Sequence, residues 1–191
     1  MSEDEKNTWE KKYSGNGYEP RETPSALLTE WVDDRRPGTA LDLACGTGRN
    51  SLYLAEKGYD VTAIDISPRA IAMAERIARE KGLKINWIVA DLDNYPMQGQ
   101  YDLIVISFFR VSRKMVFPIV DALKSGGTLL CENHMLPPSS ADEDQKHRFH
   151  LKPGELREFF QGLKVICYEE RRVNGEGDHP SHHASLVAQK E

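Results

Sequence analysis

The chain has 191 residues, of which 39% are hydrophobic and 29% are charged. That length favours one domain and allows a buried core without disulfides, since domains run roughly 100–200 residues. The net charge of −5 argues against a nucleic-acid partner, because phosphate backbones bind strongly basic faces. The cysteines are few and widely spaced, which excludes a disulfide framework and a paired-cysteine metal site (Cys45, Cys131 and Cys167).

The sequence also argues against export and membrane insertion. The first residues, MSEDEK, are acidic and polar, unlike a secretory signal. The longest strongly apolar stretch, Leu103 to Ile106, is far shorter than the ~20 residues that a membrane span needs. We therefore expect a soluble, cytoplasmic protein with no membrane partner, as a monomer or homodimer.

Residues 1–35 are predicted to form a helical cap before the core. Trp9 and Tyr13 are four residues apart, so they share one face of a helix. An aromatic pair in so polar a stretch has two explanations: it covers a bound ligand, or it packs on the core. Residues 24–32 form a second short helix with an apolar side.

From residue 38 the chain alternates between apolar strands and amphipathic helices. The strands are predicted at 40–44, 61–65, 85–89, 102–106 and 128–132. The helices are predicted at 49–57, 68–81 and 114–123. Near-continuous apolar strands alternating with helices indicate a parallel sheet that is covered on both faces.

The last third of the chain has a different pattern. Residues 136–146 form a long polar loop, for which a lid and a disordered segment are the two readings. A helix at 153–160 precedes two strands, 163–168 and 184–188, which are joined by a turn without a helix and so indicate an antiparallel hairpin. The prediction is one α/β domain over 1–191, with a cap (1–35), a core (38–135) and a loop with a C-terminal hairpin (136–191). Its sheet has seven mostly parallel strands.

The most informative segment is the glycine-rich loop within LDLACGTGRN, residues 41–50. A strand here leads into a glycine turn that opens a helix, which lets backbone N–H groups approach a ligand closely. The dinucleotide fingerprint needs a third glycine where Ser51 stands, and a Walker phosphate loop needs Gly-Lys-Ser/Thr. Both are absent, so the loop is not specialised for pyrophosphate.

Three acidic residues lie at the carboxyl ends of successive predicted strands. Asp42 lies just before the glycine loop, Asp65 closes the second strand, and Asp91 follows the third. The carboxyl ends of adjacent parallel strands line one crevice, so these groups converge. Asp65 can accept hydrogen bonds from ribose hydroxyls, and Asp91 can accept one from an exocyclic amine. Alternatively, Asp42 caps the loop and Asp91 belongs to a simple turn. Acidic groups favour a cationic nucleoside over a polyphosphate.

The order of these motifs resembles the class I S-adenosylmethionine-dependent methyltransferases, with Ala44 where that family has its first loop glycine. The sequence as a whole is most similar to the small-molecule branch that contains tellurite-resistance and thiopurine methyltransferases. Its features include LDLACGTGRN, the LKPGEL segment at 151–156 and the final ASLVA at 184–188. The resemblance implies a Rossmann-like sheet and S-adenosylmethionine as cofactor. It implies donor contacts from residues of the cap, the loop and the strand ends: Trp9, Tyr13, Asp42, Ala44, Gly46, Gly48, Asn50, Asp65, Ile66, Asp91, Leu92 and Ser107.

The methyl acceptor is expected where the fourth strand ends, at Ser107 to Arg110. The motifs typical of methyltransferases acting on nucleic-acid amines, on protein arginines and, through a metal, on catechols are missing there. A small acceptor remains, and Arg110 favours an anionic or soft one, such as a thiol or chalcogen. Either Phe108 or Phe109 is expected to be a core residue. We assign Arg110, His134 and His182 as catalytic candidates on the acceptor side.

Two histidine groups have spacings that permit a metal, His147-x-x-His150 and His179-x-x-His182-His183. They lie in polar, loop-like segments, so we expect solvated or acceptor-lining histidines and no metal site. The predicted function is transfer of the S-adenosylmethionine methyl group by in-line displacement. The alternatives are a non-catalytic module that binds S-adenosylmethionine and a nicotinamide-dependent oxidoreductase.

Overall fold

The computed structural model describes residues 3–15, 18–136, 150–173 and 181–191, with side chains from residue 6 onward. Two helices precede the sheet, α1 (Glu3–Ser14) and α2 (Ala26–Val32). Trp9 and Tyr13 lie on α1, as their spacing predicts. The predicted loop at 136–146 lies outside the described residues from position 137 onward, as does the turn at 174–177.

The described residues form one seven-stranded sheet in the order β3-β2-β1-β4-β5-β7-β6. Its strands are β1 (Thr39–Leu43), β2 (Asp60–Asp65), β3 (Asn86–Val89), β4 (Tyr101–Ser107), β5 (Leu123–Met135), β6 (Lys164–Val173) and β7 (Ser181–Gln189). Strands β1 to β5 pair in parallel, and β7 runs antiparallel to both β5 and β6. The predicted fold class is confirmed.

Helices cover both faces of the sheet because each strand alternates apolar side chains between two cores. The connecting helices are α3 (Arg49–Glu56), α4 (Pro68–Glu80), α5 (Arg113–Asp121) and α6 (Glu155–Phe159). One core holds side chains of α5 and α6 against the sheet, such as Ile119 and Leu156. The other holds side chains of α2, α3 and α4, such as Leu28 and Leu54.

The largest difference between a predicted and an observed strand is in β5, which continues on both sides of the predicted segment 128–132. Its end carries polar residues that pair with β7, Asn133 with Ala184 and His134 with His183. A strand segment with polar side chains is not predicted from a run of apolar residues, although its backbone pairing continues. This extension brings His134 to the carboxyl edge of the sheet.

The strand order reverses between β1 and β4, which are neighbours although β2 and β3 separate them in the chain. The carboxyl ends of the strands at such a switch point form the crevice where open α/β sheets bind ligands. The glycine loop follows β1 on one side of the crevice, and Ser107 ends β4 on the other. Within the described part of the chain, no helix is long and apolar enough to cross a membrane.

Candidate functional site

The glycine loop turns sharply through left-handed backbone positions. Ala44 and Gly46 both have φ of 57°, and Gly48 has φ of 81°. A Cβ atom added to Gly48 would lie 2.7 Å from a ring carbon of Trp87 and 2.9 Å from the Cβ of Ala74, so only glycine fits. Ala44 tolerates its left-handed conformation at about 1–2 kcal/mol of strain, which explains why the related family has glycine there.

Asp65 joins the glycine loop to the start of α4. Its carboxylate accepts hydrogen bonds from the backbone N–H of Gly46 at 2.7 Å and of Ser67 at 2.9 Å. Burial raises the pKa of Asp65, and these two hydrogen bonds act in the opposite direction. An ionised carboxylate has about four acceptor positions, so the group can also accept hydrogen bonds from a ligand. The loop and the carboxylate are thus held in one rigid arrangement.

Asp42 has a positioning role that differs from the predicted donor contact. Its side chain lies beneath the loop with 1% of the residue exposed, and the Ser51 hydroxyl donates a hydrogen bond to it at 2.5 Å. Burial raises the pKa of Asp42 to about 7. The carboxyl group therefore fastens α3 to β1, which fits the capping alternative, and a donor contact from Asp42 stays a prediction.

The predicted adenine end of the site is formed by the segment after β3. Asp91 accepts hydrogen bonds from the backbone N–H of Asp93 and the side-chain amide of Asn94, so it organises a turn, as the simpler reading of this segment expected. Leu92 is buried and Ile66 is half-buried beside the end of β2. Adenine contacts from Asp91, Leu92 and Ile66 stay predictions.

An aromatic group of α1 lies against the glycine loop. Trp9 and Tyr13 stack with ring centroids 6.2 Å apart, and Tyr18 meets Tyr13 edge-on at 5.1 Å. The hydroxyl of Tyr13 is 3.0 Å from the position that a Cβ of Gly46 would take. Glu10 fixes α1 by accepting a hydrogen bond from the Ser67 hydroxyl. The cap therefore covers the loop side of the crevice.

Asn50 and Ser107 join the two sides of the crevice. The Asn50 side-chain amide donates to the Ser107 hydroxyl at 3.0 Å, and its carbonyl accepts from the backbone N–H of Ser25 at 2.9 Å. Asn50 is buried at the start of α3, so it links α2, α3 and β4. Both residues were predicted donor contacts, and the structure brings them together at the centre of the switch point.

Four rings form a group across the crevice from the glycine loop, which we call the ring cluster: Phe108, His134, His150 and His183. The ring centroids of His134 lie 4.8 Å from Phe108, 4.7 Å from His183 and 5.7 Å from His150. Phe108 also meets His183 edge-on at 5.2 Å. Residues that are far apart in the chain thus converge at the carboxyl ends of β4 and β5.

Strand register creates this cluster. His134 of β5 pairs directly with His183 of β7, so both side chains lie on one face of the sheet. Phe108 follows β4 with φ of 57°, and its N–H donates to the carbonyl of Glu132 at 2.8 Å. This strained turn aims the Phe108 ring at the two histidines. Phe109 instead packs against the main core, which fits the expectation for one of the pair.

Two histidines of the cluster, His134 and His183, are neutral at neutral pH. Burial lowers the pKa of His134, and the neighbouring His183 lowers it further. Burial also lowers the pKa of His183, with Arg171, His150 and His182 acting in the same direction. A neutral imidazole can accept a proton or a hydrogen bond, so His134 and His183 give the cluster a weakly basic surface.

His182 does not share the ring cluster. It pairs with Met135, one position along the register from His134 and His183, and successive strand residues point to opposite faces. The sequence prediction named His182 from this pair, and sequence alone does not give the register between β5 and β7 that brings His183 to His134. We add His183 to the candidate acceptor-side residues.

Arg110 forms an ion pair and also donates a hydrogen bond to the backbone at residue 150. Its guanidinium donates two hydrogen bonds to the Glu155 carboxylate, at 2.7 and 3.1 Å, and one to the His150 carbonyl at 2.6 Å. Partial burial opposes ionisation of Glu155, but the bonds from Arg110 and the Lys152 N–H outweigh it and lower its pKa. Arg110 therefore positions His150, and a direct acceptor contact stays a prediction.

The cation beside the ring cluster is Arg49, which the sequence reasoning did not single out. Its guanidinium carbon lies 5.7 Å from the Phe108 ring centroid. The signal available in the sequence was its place in the loop motif, directly after Gly48 at the start of α3. No group of three or more His, Cys, Asp or Glu side chains in the described ranges is arranged to hold a metal. His147 and His179 lie outside those ranges.

Comparison with known proteins decides the family. A family model described as "Tellurite resistance protein TehB" matches residues 5–178, which include the cap, the glycine loop and β1 to β6. This chain belongs to the TehB family. The resemblance to the tellurite-resistance branch of the class I methyltransferases is therefore confirmed.

The names of two curated relatives agree with this assignment. This TehB-family chain is 31% identical over 139 residues to a probable S-adenosyl-L-methionine-dependent methyltransferase TehB of Haemophilus influenzae. The alignment covers 70% of this chain and 49% of that protein. A putative methyltransferase of Bacillus subtilis is 31% identical over 141 residues, covering 64% of this chain and 57% of that protein. The chain spans about half the length of these curated relatives.

Solved structures show the same fold. TehB from Haemophilus influenzae superimposes with a TM-score of 0.75 at 23% identity, covering 97% of this TehB-family chain and 67% of that one. The N-methyltransferase NodS from Bradyrhizobium japonicum, crystallised with S-adenosyl-L-homocysteine, has a TM-score of 0.71 at 20% identity, covering 97% and 98%. The Rossmann-like methyltransferase sheet is thus common to all three.

Proposed function

We propose that this chain transfers the methyl group of S-adenosylmethionine to a small acceptor with a soft nucleophilic atom, a thiol or chalcogen. The observation that carries the proposal is the position of the ring cluster. Neutral His134 and His183 face the crevice on the side opposite the glycine loop. Membership in the TehB family supports S-adenosylmethionine as the methyl donor.

The donor half of the proposal places S-adenosylmethionine at the ends of β1 to β3. Gly46 and Gly48 would meet its methionine end, and Asp65 would accept hydrogen bonds from its ribose. The sulfonium would lie near the stacked rings of Trp9 and Tyr13, since aromatic faces attract cations. Asn50 and Ser107 lie at the boundary between the donor side and the acceptor side of the crevice, where the methyl group would point towards β4.

In the proposed reaction, the nucleophile forms a bond to the methyl carbon as the bond from that carbon to the sulfonium sulfur breaks. The protein contributes alignment, because reactants held in line react far faster than free ones. A neutral thiol would give its proton to the imidazole of His134, and the thiolate would attack. The nearby Arg49 cation would stabilise the anionic nucleophile before transfer.

The test measures S-adenosylhomocysteine production with tellurite, selenite and a set of small thiols, and donor affinity by calorimetry. We expect turnover with at least one of these acceptors. His134→Asn and His183→Asn should each lower turnover by about 10²-fold or more with unchanged donor affinity, in line with the usual size of acid–base catalysis. His182→Asn, on the opposite face of β7, is the matched control and should keep its activity.

The pH profile adds an independent check. Because the pKa values of His134 and His183 are lowered from their ordinary value of about 6.5, turnover should fall only on acidification below that value and be flat above it. Donor binding without turnover for any acceptor would instead favour a non-catalytic binding module. Full activity of both His→Asn variants would place the acceptor elsewhere.

A further inference from the structure

Glu132 is a buried acidic residue with one carboxylate oxygen that has no hydrogen-bond partner among the described residues. It lies near the end of β5 with 9% of the residue exposed. Its Oε1 atom is buried and receives no hydrogen bond from any residue that the structure describes. A buried polar atom without a partner costs roughly 1–3 kcal/mol, more when it carries charge, so such groups in native proteins call for an explanation.

The surroundings of Glu132 place it in the floor of the crevice. The strand register pairs it with Ser107 of β4 on one side and with Ser185 of β7 on the other. Along its own strand, His134 is two residues further and therefore on the same face. Its negative charge acts on His134, whose pKa it raises against the dominant effect of burial. No lysine or arginine among the described residues forms an ion pair with it.

The position of Glu132 in the sheet favours a ligand on the acceptor side as its partner. Glu132 lies two strands away from β1, a separation of about 10 Å in a sheet with ~4.8 Å between strands. The ribose site at Asp65 is one strand further still. The ring cluster, by contrast, begins with His134 on the same face of the same strand. A molecule that reaches His134 along the crevice therefore passes Glu132.

We infer that Glu132 recognises a protonated amine on the methyl acceptor, so that the acceptor carries a soft nucleophile at one end and an ammonium group at the other. This inference rests on the proposed function and names the class of acceptor. An ammonium group supplies several donors and neutralises the buried carboxylate, and hydrogen bonds between charged partners are about twice as strong as neutral ones. A carboxylate or oxyanion at this end of the acceptor would be repelled.

The experiment uses three thiols with the same two-methylene spacer that differ in the second group: cysteamine with an ammonium, 2-mercaptoethanol with a hydroxyl and 3-mercaptopropionate with a carboxylate. Their affinities for the protein loaded with S-adenosylhomocysteine are measured by titration, so binding is read without turnover. We expect cysteamine to bind with an affinity at least about 10-fold higher than that of 3-mercaptopropionate, and 2-mercaptoethanol to have an affinity between the two.

Glu132→Gln should reduce the affinity for cysteamine about 10-fold or more and remove the preference among the three thiols, while S-adenosylhomocysteine affinity stays unchanged. Glu169→Gln, an exposed position on β6, is the matched control and should keep the preference. If Glu132→Gln does not fold, the order of affinities in the unmodified protein still decides, because that arm needs no variant.

Equal affinities, or a preference for 3-mercaptopropionate, would overturn the inference and leave Glu132 with a structural role only. Absence of binding by all three thiols would overturn it as well. The proposed function fails separately. Cysteamine bound with the expected preference but never methylated with S-adenosylmethionine present would contradict methyl transfer to thiols and leave the recognition site standing.

Discussion

The two halves of the crevice are built in different ways. On the donor half, polar groups are paired with one another: Asp65 with Gly46 and Ser67, and Asp42 with Ser51. On the acceptor half, the Glu132 Oε1 atom has no hydrogen-bond partner in the described part of the chain, and His134 and His183 are neutral at neutral pH. One half is rigid before any ligand arrives, and the other leaves hydrogen-bonding groups for a ligand to satisfy.

This difference fits the two molecules that the halves would bind. A donor that is the same molecule in every turnover suits a site whose backbone and carboxylates are already in place, since preorganisation lowers the free-energy cost of binding. The acceptor determines specificity, and a site with unpaired polar groups rejects molecules that do not pair with them. Variants on the donor half should therefore change stability and donor affinity, whereas variants on the acceptor half should change turnover.

The largest expected effect is at Gly48. Gly48→Ala should lower the free energy of unfolding by about 1 kcal/mol for its left-handed backbone and by a further ~1–3 kcal/mol for the close contacts with Trp87 and Ala74. Gly82→Ala is the control, because Gly82 also has positive φ but open space around its Cβ position. Urea denaturation that gives equal losses for the two variants would contradict the tight packing of the loop.

Asp65 should matter most for the donor. Asp65→Ala removes a charged acceptor of the predicted ribose hydrogen bond, worth roughly 1.5–3 kcal/mol, so donor affinity should fall about 10- to 150-fold. Asp60→Ala, at the exposed start of the same strand, should have no effect. Calorimetric affinities that match between Asp65→Ala and the unmodified protein would remove Asp65 from the donor site.

Asp42 should make stability depend on pH. Its pKa in the folded protein is about 7, above the ordinary value of 3.8, so the folded state holds an extra proton between these values. Stability should therefore be highest near pH 4 and fall as pH rises towards 7, by on the order of a few kcal/mol. Asp42→Asn should flatten this part of the stability curve, and Asp60→Asn should leave it intact. A slope that survives Asp42→Asn would rule out Asp42 as its cause.

The smallest effect concerns the Arg110–Glu155 pair. A double-mutant cycle with Arg110→Ala and Glu155→Ala should give a coupling energy of about 1 kcal/mol, because the pair is bidentate and partly buried. The Arg113–Glu158 pair also ends on α6 but is exposed, so its coupling should be close to zero. Equal couplings would show that Arg110 is not a special anchor for residue 150.

The donor half could be predicted from sequence because its residues are local. The loop glycines and Asp65 each stand next to an apolar strand whose pattern is clear, so their convergence follows from the parallel sheet. The acceptor half could not, because Phe108, His134, His150 and His183 meet only through the register of β4, β5 and β7. That register separates His183 from His182, and it commits Arg110 to Glu155, which no local pattern shows.

The most direct test of the account is a crystal structure of the protein with S-adenosylhomocysteine. The account predicts the ribose at Asp65, the adenine beside Leu92 and the sulfur atom directed across Ser107 towards the ring cluster. Phe108, His134 and His183 should line the open side of that sulfur, with Glu132 making no contact with the product. A product molecule whose sulfur points away from the ring cluster, or whose ribose lies over β4 and β5, would contradict the division of the crevice into these two halves.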